Sequence, residues 1–100
     1  MRLLIVDDNH EYRKLLRRIL DEQPDLILVA EASGGEEGVR LAQQFKPDVI
    51  LMDLDMPGTD GLQATRRIKE SLAGAIVLIL SALDSEAYRE REWSAVRTRI

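Results

Sequence analysis

The sequence predicts an α/β fold built on an open, doubly wound parallel sheet. Two observations carry that expectation. Four short apolar runs alternate with amphipathic segments in the order β-α-β-α-β-α-β-α, which builds parallel strands with right-handed crossovers. The runs are rich in β-branched residues and mostly continuous rather than alternating, the pattern of strands covered on both faces.

Each element follows in order. The first strand is LLIV, Leu3–Val6. A helix over Glu11–Glu22 places Tyr12, Leu15, Leu16, Ile19 and Leu20 on one stripe,, and Pro24 closes it,. The second strand is LILVA, Leu26–Ala30. The second helix, Glu36–Phe45, turns Val39, Ala42 and Phe45 inward, with Ser33 and Glu36 in a capping-box pattern,. Pro47 follows its end. The third strand is VILM, Val49–Met52. A third helix over Leu62–Ser71 groups Leu62, Thr65, Ile68 and Leu72, capped by Asp60 and Gln63,. The fourth strand is AIVLIL, Ala75–Leu80. Beyond it Asp84 or Ser85 can cap a last helix with Tyr88, Trp93, Val96 and Ile100 on one broad stripe,. That stripe reads either as a partner-binding helix or as a fortuitously amphipathic extension.

Composition bounds the function. One hundred residues make one domain at most,. A net charge of −4 disfavours nucleic acid as a direct partner,. The absence of Cys removes disulfides and thiolate metal sites,. No apolar run approaches membrane-spanning length,, and LLIV is too short for a signal-peptide core,. A cytoplasmic location, with no membrane partner, is the expectation.

The segment VILMDLDMPGTDG, Val49–Gly61, pushes a carboxylate out of the end of a buried strand. Such a group is costly to bury unless something cationic meets it. Asp7 and Asp8 end the first strand, and Asp53 ends the third. In an open parallel sheet, ligands bind beyond the carboxyl ends of the strands where strand order reverses. With order 2-1-3-4 the first and third strands are neighbours there, so three carboxylates converge. They repel one another unless a cation shares them. Oxygen ligands without Cys or His suit a hard divalent ion, Mg²⁺ before others. A magnesium-charged pocket favours a phosphoryl group as its remaining ligand, with Asp53 as nucleophile. Plainer readings stand beside these: Asp7 and Asp8 as caps of the first helix, Asp53 as a turn acid, Asp55 as a solvated loop charge, Pro57, Gly58 and Gly61 as turn chemistry, and Ser81 as a helix-entry residue.

Three stretches, LLIVDDN, VILMDLDMPGTDGLQATRRIK and IVLILSA, together resemble the receiver domain of two-component response regulators, a flavodoxin-like (CheY-like) fold. The middle stretch is closest to receivers that carry a LuxR-type output domain. The resemblance covers residues 1–91. It implies that Asp53 is the phosphoacceptor and that Asp8 coordinates Mg²⁺ directly with support from Asp7. It implies further that the backbone carbonyl of Asp55 supplies another metal oxygen, that the Ser81 hydroxyl moves onto the phosphoryl group, and that the Ala82 amide cradles it. Pro57 and Gly61 shape the loop that carries the acceptor. It implies, too, that the phosphoryl donor is the histidine of a sensor histidine kinase and that the chain is a signalling phosphoacceptor rather than an enzyme that turns over.

A complete receiver continues with a fifth strand, a lysine and a fifth helix. Here the only lysines are Lys14, Lys46 and Lys69, and none follows a strand end. The tail EWSAVRTRI, residues 92–100, also departs from the pattern, and reads as a truncation or a shifted frame. Switching is therefore expected to be impaired. AIVLIL becomes an unprotected sheet edge, and Leu16 and Leu20 lose cover. The expected consequence is a homodimer, formed by pairing of fourth strands or by exchange of C-terminal helices. Two other classes compete. A pseudo-receiver would act as a phosphorylation-independent interaction module. A haloacid-dehalogenase-like phosphatase would use Asp53-Leu54-Asp55 as its DxD nucleophile motif, but would leave the Asp7–Asp8 pair unexplained.

Overall fold

A computed structural model of the chain describes residues 1–54, 56, 58 and 60–80. The elements run β1 (Arg2–Val6), α1 (His10–Asp21), β2 (Ile27–Ala32), α2 (Gly35–Phe45), β3 (Val49–Asp53), α3 (Gly61–Ser71) and β4 (Ile76–Leu80). All pairings are parallel, and the sheet order is β2-β1-β3-β4, as predicted. The expected last helix lies outside the described residues.

Both faces of the sheet are covered, which explains the continuous apolar runs. Leu4, Val6, Ile50, Met52, Val77 and Ile79 share one core with Val39 and Ala42 of α2 and Ala64 and Ile68 of α3. Leu3, Ile5, Val49, Leu51 and Leu80 form the other, against Tyr12, Leu16 and Leu20 of α1. Every residue of β3 is buried, so β3 is the central rail on which the site is built.

The β1–β2 ladder carries one irregularity. Leu3 pairs with Leu28 but Leu4 pairs with Ala30, so Val29 is an extra residue in β2. Such a bulge reverses which face the following side chains take. Ala30 accordingly joins the core under α2 and α3. Glu31, opposite Ile5, turns to the α1 side and meets Arg13 and Arg17.

Several local expectations are corrected. The cap of α1 is Asn9, whose side chain accepts from the Tyr12 amide at 3.0 Å; neither Asp7 nor Asp8 performs that role. The α1 stripe is narrower than the sequence suggested, with Leu15 and Ile19 exposed. The Ser33–Glu36 box does not form: Gly34 is the N-cap of α2, Glu37 takes the Ser33 amide at 2.7 Å, and Glu36 pairs with Arg67 at 2.6 Å. Glu37 sits one residue further along and so reaches back over the turn. Leu62 is exposed because the face of α3 that meets the sheet runs through Gly61, Ala64, Thr65 and Ile68. The Asp60 cap is present, its carboxylate accepting from the Gln63 amide at 2.7 Å.

Candidate metal and phosphoryl site

The ladder between β1 and β3 sets Val6 opposite Met52. One step further brings Asp7 level with Asp53, at the carboxyl ends of the two central strands. Asp7 and Asp53 are buried, whereas Asp8 is exposed. One carboxylate oxygen from each of Asp7, Asp8 and Asp53 lies within 4.8 Å of the others. Octahedral Mg²⁺ with bonds of about 2.0–2.1 Å sets neighbouring ligand oxygens about 3 Å apart and opposite ones about 4 Å apart, so the three acids form a group that could hold one such ion.

The local backbone explains the arrangement. The Asp7 amide donates to the Ala32 carbonyl at 3.0 Å, which continues the β1–β2 ladder past the end of the strand. One Asp7 oxygen accepts from the Asn9 amide at 2.8 Å. The other, Oδ2, is buried without a hydrogen-bond partner. A buried carboxylate oxygen left in that state is costly, and a cation is the partner that would satisfy it. Burial pushes the Asp7 carboxyl above its ordinary range; the Asn9 amide opposes that, the charge on Asp8 adds to it, and the charge on Arg13 works against it.

Gly61 closes the site from below. A Cβ there would lie 2.3 Å from the carbonyl oxygen of Asp53 and 2.8 Å from the Leu54 Cα. The first turn of α3 therefore rests directly on the backbone that carries Asp53. This is a close-packing glycine rather than the turn glycine that its sequence position suggested. Gly58, with φ of +80°, occupies the left-handed region in the intervening loop,.

The structure brings together Asp7, Asp8 and Asp53. Asp55, Pro57, Ser81 and Ala82 lie outside the described residues. The sequence reading missed the group behind the acids. Arg13 donates from Nη1 to the Asp7 carbonyl at 2.5 Å and from Nε to Glu31 at 3.2 Å. Arg17 grips the same Glu31 carboxylate through Nε at 2.8 Å and Nη2 at 3.0 Å. Hydrogen bonding to Arg17 is the main reason that the Glu31 carboxyl lies below its ordinary value. A signal was available: Glu31 is the lone acid in an apolar strand, and Arg13 and Arg17 are spaced i, i+4 on the preceding helix,.

A parallel sheet in this order, with an acid cluster at its switch point, defines a receiver fold, and the match extends to sequence. Residues 3–96 match the response regulator receiver domain, and the chain belongs to that family. It is 43% identical over 90 residues to the transcriptional regulatory protein LiaR of Bacillus subtilis, covering 88% of this chain and 43% of that protein. A LuxR-family two-component response regulator from Aurantimonas sp. superposes with a TM-score of 0.78 at 34% identity, over 94% of this chain and 67% of that one. The CheX-CheY-BeF3-Mg complex from Borrelia burgdorferi contains a chain matching with a TM-score of 0.78 at 28% identity, over 95% of this chain and 72% of that one. This chain spans less than half the length of LiaR and of other curated relatives it matches. Among the described residues, no helix is long and apolar enough to cross a membrane.

Proposed function

We propose that this receiver accepts a phosphoryl group on Asp53 from the phosphohistidine of a sensor kinase, with Mg²⁺ as the essential ion. The observation that carries the reading is the close approach of the Asp7, Asp8 and Asp53 carboxylates, with one Asp7 oxygen buried and unpartnered. Asp8 and Asp53 would hold the ion, Asp7 would support it, and the carbonyl of Asp55 would complete the protein ligands. The ion offsets the charge that gathers on the phosphoryl oxygens in transfer. The Asp53 carboxylate attacks phosphorus, the bond to the kinase histidine nitrogen breaks, and an acyl phosphate remains on Asp53. The Ser81 hydroxyl and the Ala82 amide then contact the phosphoryl group. The BeF3 and Mg named with the Borrelia relative are in keeping with this chemistry.

Readout of the phosphoryl group by these 100 residues alone is expected to be weak. Lys69 is engaged with the carbonyls of Ala73 and Ala75, Lys14 lies beside Glu11, and Lys46 caps α2. The contacts of Lys14 and Lys69 are to groups other than the acid cluster, and a conformational shift requires a differential interaction between two states. Steady enzymatic turnover is not part of the proposal. Among the described residues β4 is one of the two sheet edges, β2 being the other, and pairing of two copies through β4 is the homodimer we infer. Sedimentation at micromolar concentration checks it; a concentration-independent monomer would discard the dimer alone.

Incubation with acetyl phosphate and Mg²⁺, followed by intact mass measurement, tests the phosphoacceptor. The expected result is one added phosphoryl group on wild type and none on Asp53→Ala. Equal labelling of both proteins would refute the assignment. Continuous phosphate release from a generic phosphomonoester would favour a phosphatase instead.

A further inference from the structure

We propose that Arg13 is a positioning residue for the metal site, held in place by Glu31. The inference rests on the Mg²⁺ reading above. Arg13 is largely buried, with a side-chain exposure of 14%. Its guanidinium touches three groups from three places in the chain: the Asp7 carbonyl at 2.5 Å, Glu31 of β2 at 3.2 Å, and the His10 Nδ1 at 3.4 Å.

The first contact is the informative one. The Asp7 carbonyl and the Asp8 amide belong to one rigid peptide plane. Fixing that oxygen fixes the plane that joins the two acids. The other side of Asp7 is already fixed by its amide bond to Ala32 at 3.0 Å, and its side chain by the Asn9 amide at 2.8 Å. Asp8 is exposed and at the start of the turn, so no packing sets its direction. Arg13 supplies that constraint.

Arg13 in turn needs a counterweight, because a bare guanidinium beside a cation site would repel the ion. Glu31 supplies it, and the bulge at Val29 is what turns Glu31 to the α1 side. Arg17 then holds Glu31 with a two-point grip at 2.8 and 3.0 Å without touching Asp7. Arg13 and Arg17 thus carry the same charge and share the same partner, and differ in the contact to the Asp7 carbonyl.

That difference gives a test whose sign separates geometry from charge. Removing a nearby cation by electrostatics alone raises Mg²⁺ affinity. Removing a positioning group lowers it, by about tenfold for groups that orient metal ligands. Mg²⁺ titration of the full chain, followed by calorimetry and by the Asp8 and Asn9 amide signals, is expected to show Arg13→Ala weakened about tenfold and Arg17→Ala within about twofold of wild type. Arg13→Lys keeps the charge and the aliphatic stem but cannot reach both partners, and should fall between; it also serves if Arg13→Ala does not fold. Affinity equal to or above wild type in Arg13→Ala or Arg13→Lys overturns the inference, as does an equal loss in Arg17→Ala. If wild type binds no Mg²⁺, the proposed function falls and takes this inference with it. If wild type binds and Asp8→Ala does not, while the Arg13 variants match wild type, only the positioning role is lost.

Discussion

The contact of Gly61 with the backbone beneath it makes Gly61→Ala the most informative single methyl group in the chain. The added carbon would lie 2.3 Å from the Asp53 carbonyl oxygen, 2.8 Å from the Leu54 Cα and 3.0 Å from the Asp53 carbonyl carbon. Ordinary carbon contacts fall at about 3.5–4.0 Å, so the overlap exceeds about 0.5 Å on every atom and is more than 1 Å on the oxygen. All three atoms belong to backbone, and no rotamer change relieves them. Either α3 lifts from the strand end or the strand end moves. Overpacking of this kind costs about 1–3 kcal/mol. For a domain this small, each kcal/mol shifts the melting temperature by about 4–8 °C, so the expected loss is roughly 4–24 °C. Gly38→Ala is the graded comparison. Its Cβ would meet the Val6 methyls at 2.9 and 3.0 Å, a side-chain contact that can give slightly, and the helix gains about 1 kcal/mol from alanine. Gly74→Ala is the control, with nothing within 4 Å, and is expected to be neutral or slightly stabilising. Thermal unfolding followed by circular dichroism should rank the three in that order, with Mg²⁺ affinity lowered in Gly61→Ala because Asp53 rides on the displaced backbone. A Gly61→Ala protein that melts with Gly74→Ala would refute the close packing at the site.

Three further outcomes are expected. Asp7→Asn removes one of three crowded negative charges and lets an amide hydrogen stand where Oδ2 lacks a partner; the metal-free protein should melt higher than wild type while Mg²⁺ affinity falls, and a lower metal-free melting temperature would contradict the account of strain. Lys46 holds a left-handed conformation, φ 48°, at the C-cap of α2, so Lys46→Gly should stabilise by about 0.5–1 kcal/mol in urea unfolding, and destabilisation would mean that its side chain matters more than its backbone. Glu31 has its carboxyl lowered chiefly by Arg17, with Arg13 adding. Its contribution to stability is therefore complete above the ordinary carboxyl value of 4.5 and is lost as pH falls through the lowered folded value,; the melting difference between wild type and Glu31→Gln should shrink across that acidic window, and a difference that grows on acidification would reverse the assignment.

The fold was legible because its strongest signals are local. Continuous β-branched runs such as VILM belong to strands with no wet face, and β3 is buried throughout. The convergence of the acids followed from a strand order of 2-1-3-4, and the observed order agrees. What misled was periodicity at the margins. Leu15 and Ile19 continue the α1 stripe but lie exposed, because a helix turns its whole stripe inward only where a second neighbour covers its flank. Ser33 and Glu36 had the spacing of a cap, yet Glu37 took the bond, since one residue of phase decides which carboxylate faces back over the turn.

At the site, the three acids were readable as a group, but which of the first pair lies buried was not. Asp7 and Asp8 are adjacent, so spacing alone ranks neither in depth. Register does: Val6 opposite Met52 makes Asp7 the residue level with Asp53 and leaves Asp8 outside. The supporting arginine was hidden for a similar reason. With an unbroken ladder, Leu4 would meet Val29 and Glu31 would fall opposite Val6, on the face packed against α2 and α3. There it would be a buried acid away from α1. The extra residue in β2 moves it opposite Ile5, onto the face that α1 covers, and only then do Arg13 and Arg17 acquire a common partner. An acid cluster can be found from strand ends, but the group that orients it depends on a one-residue slip between two strands, and hydrophobic pattern alone carries no record of that slip.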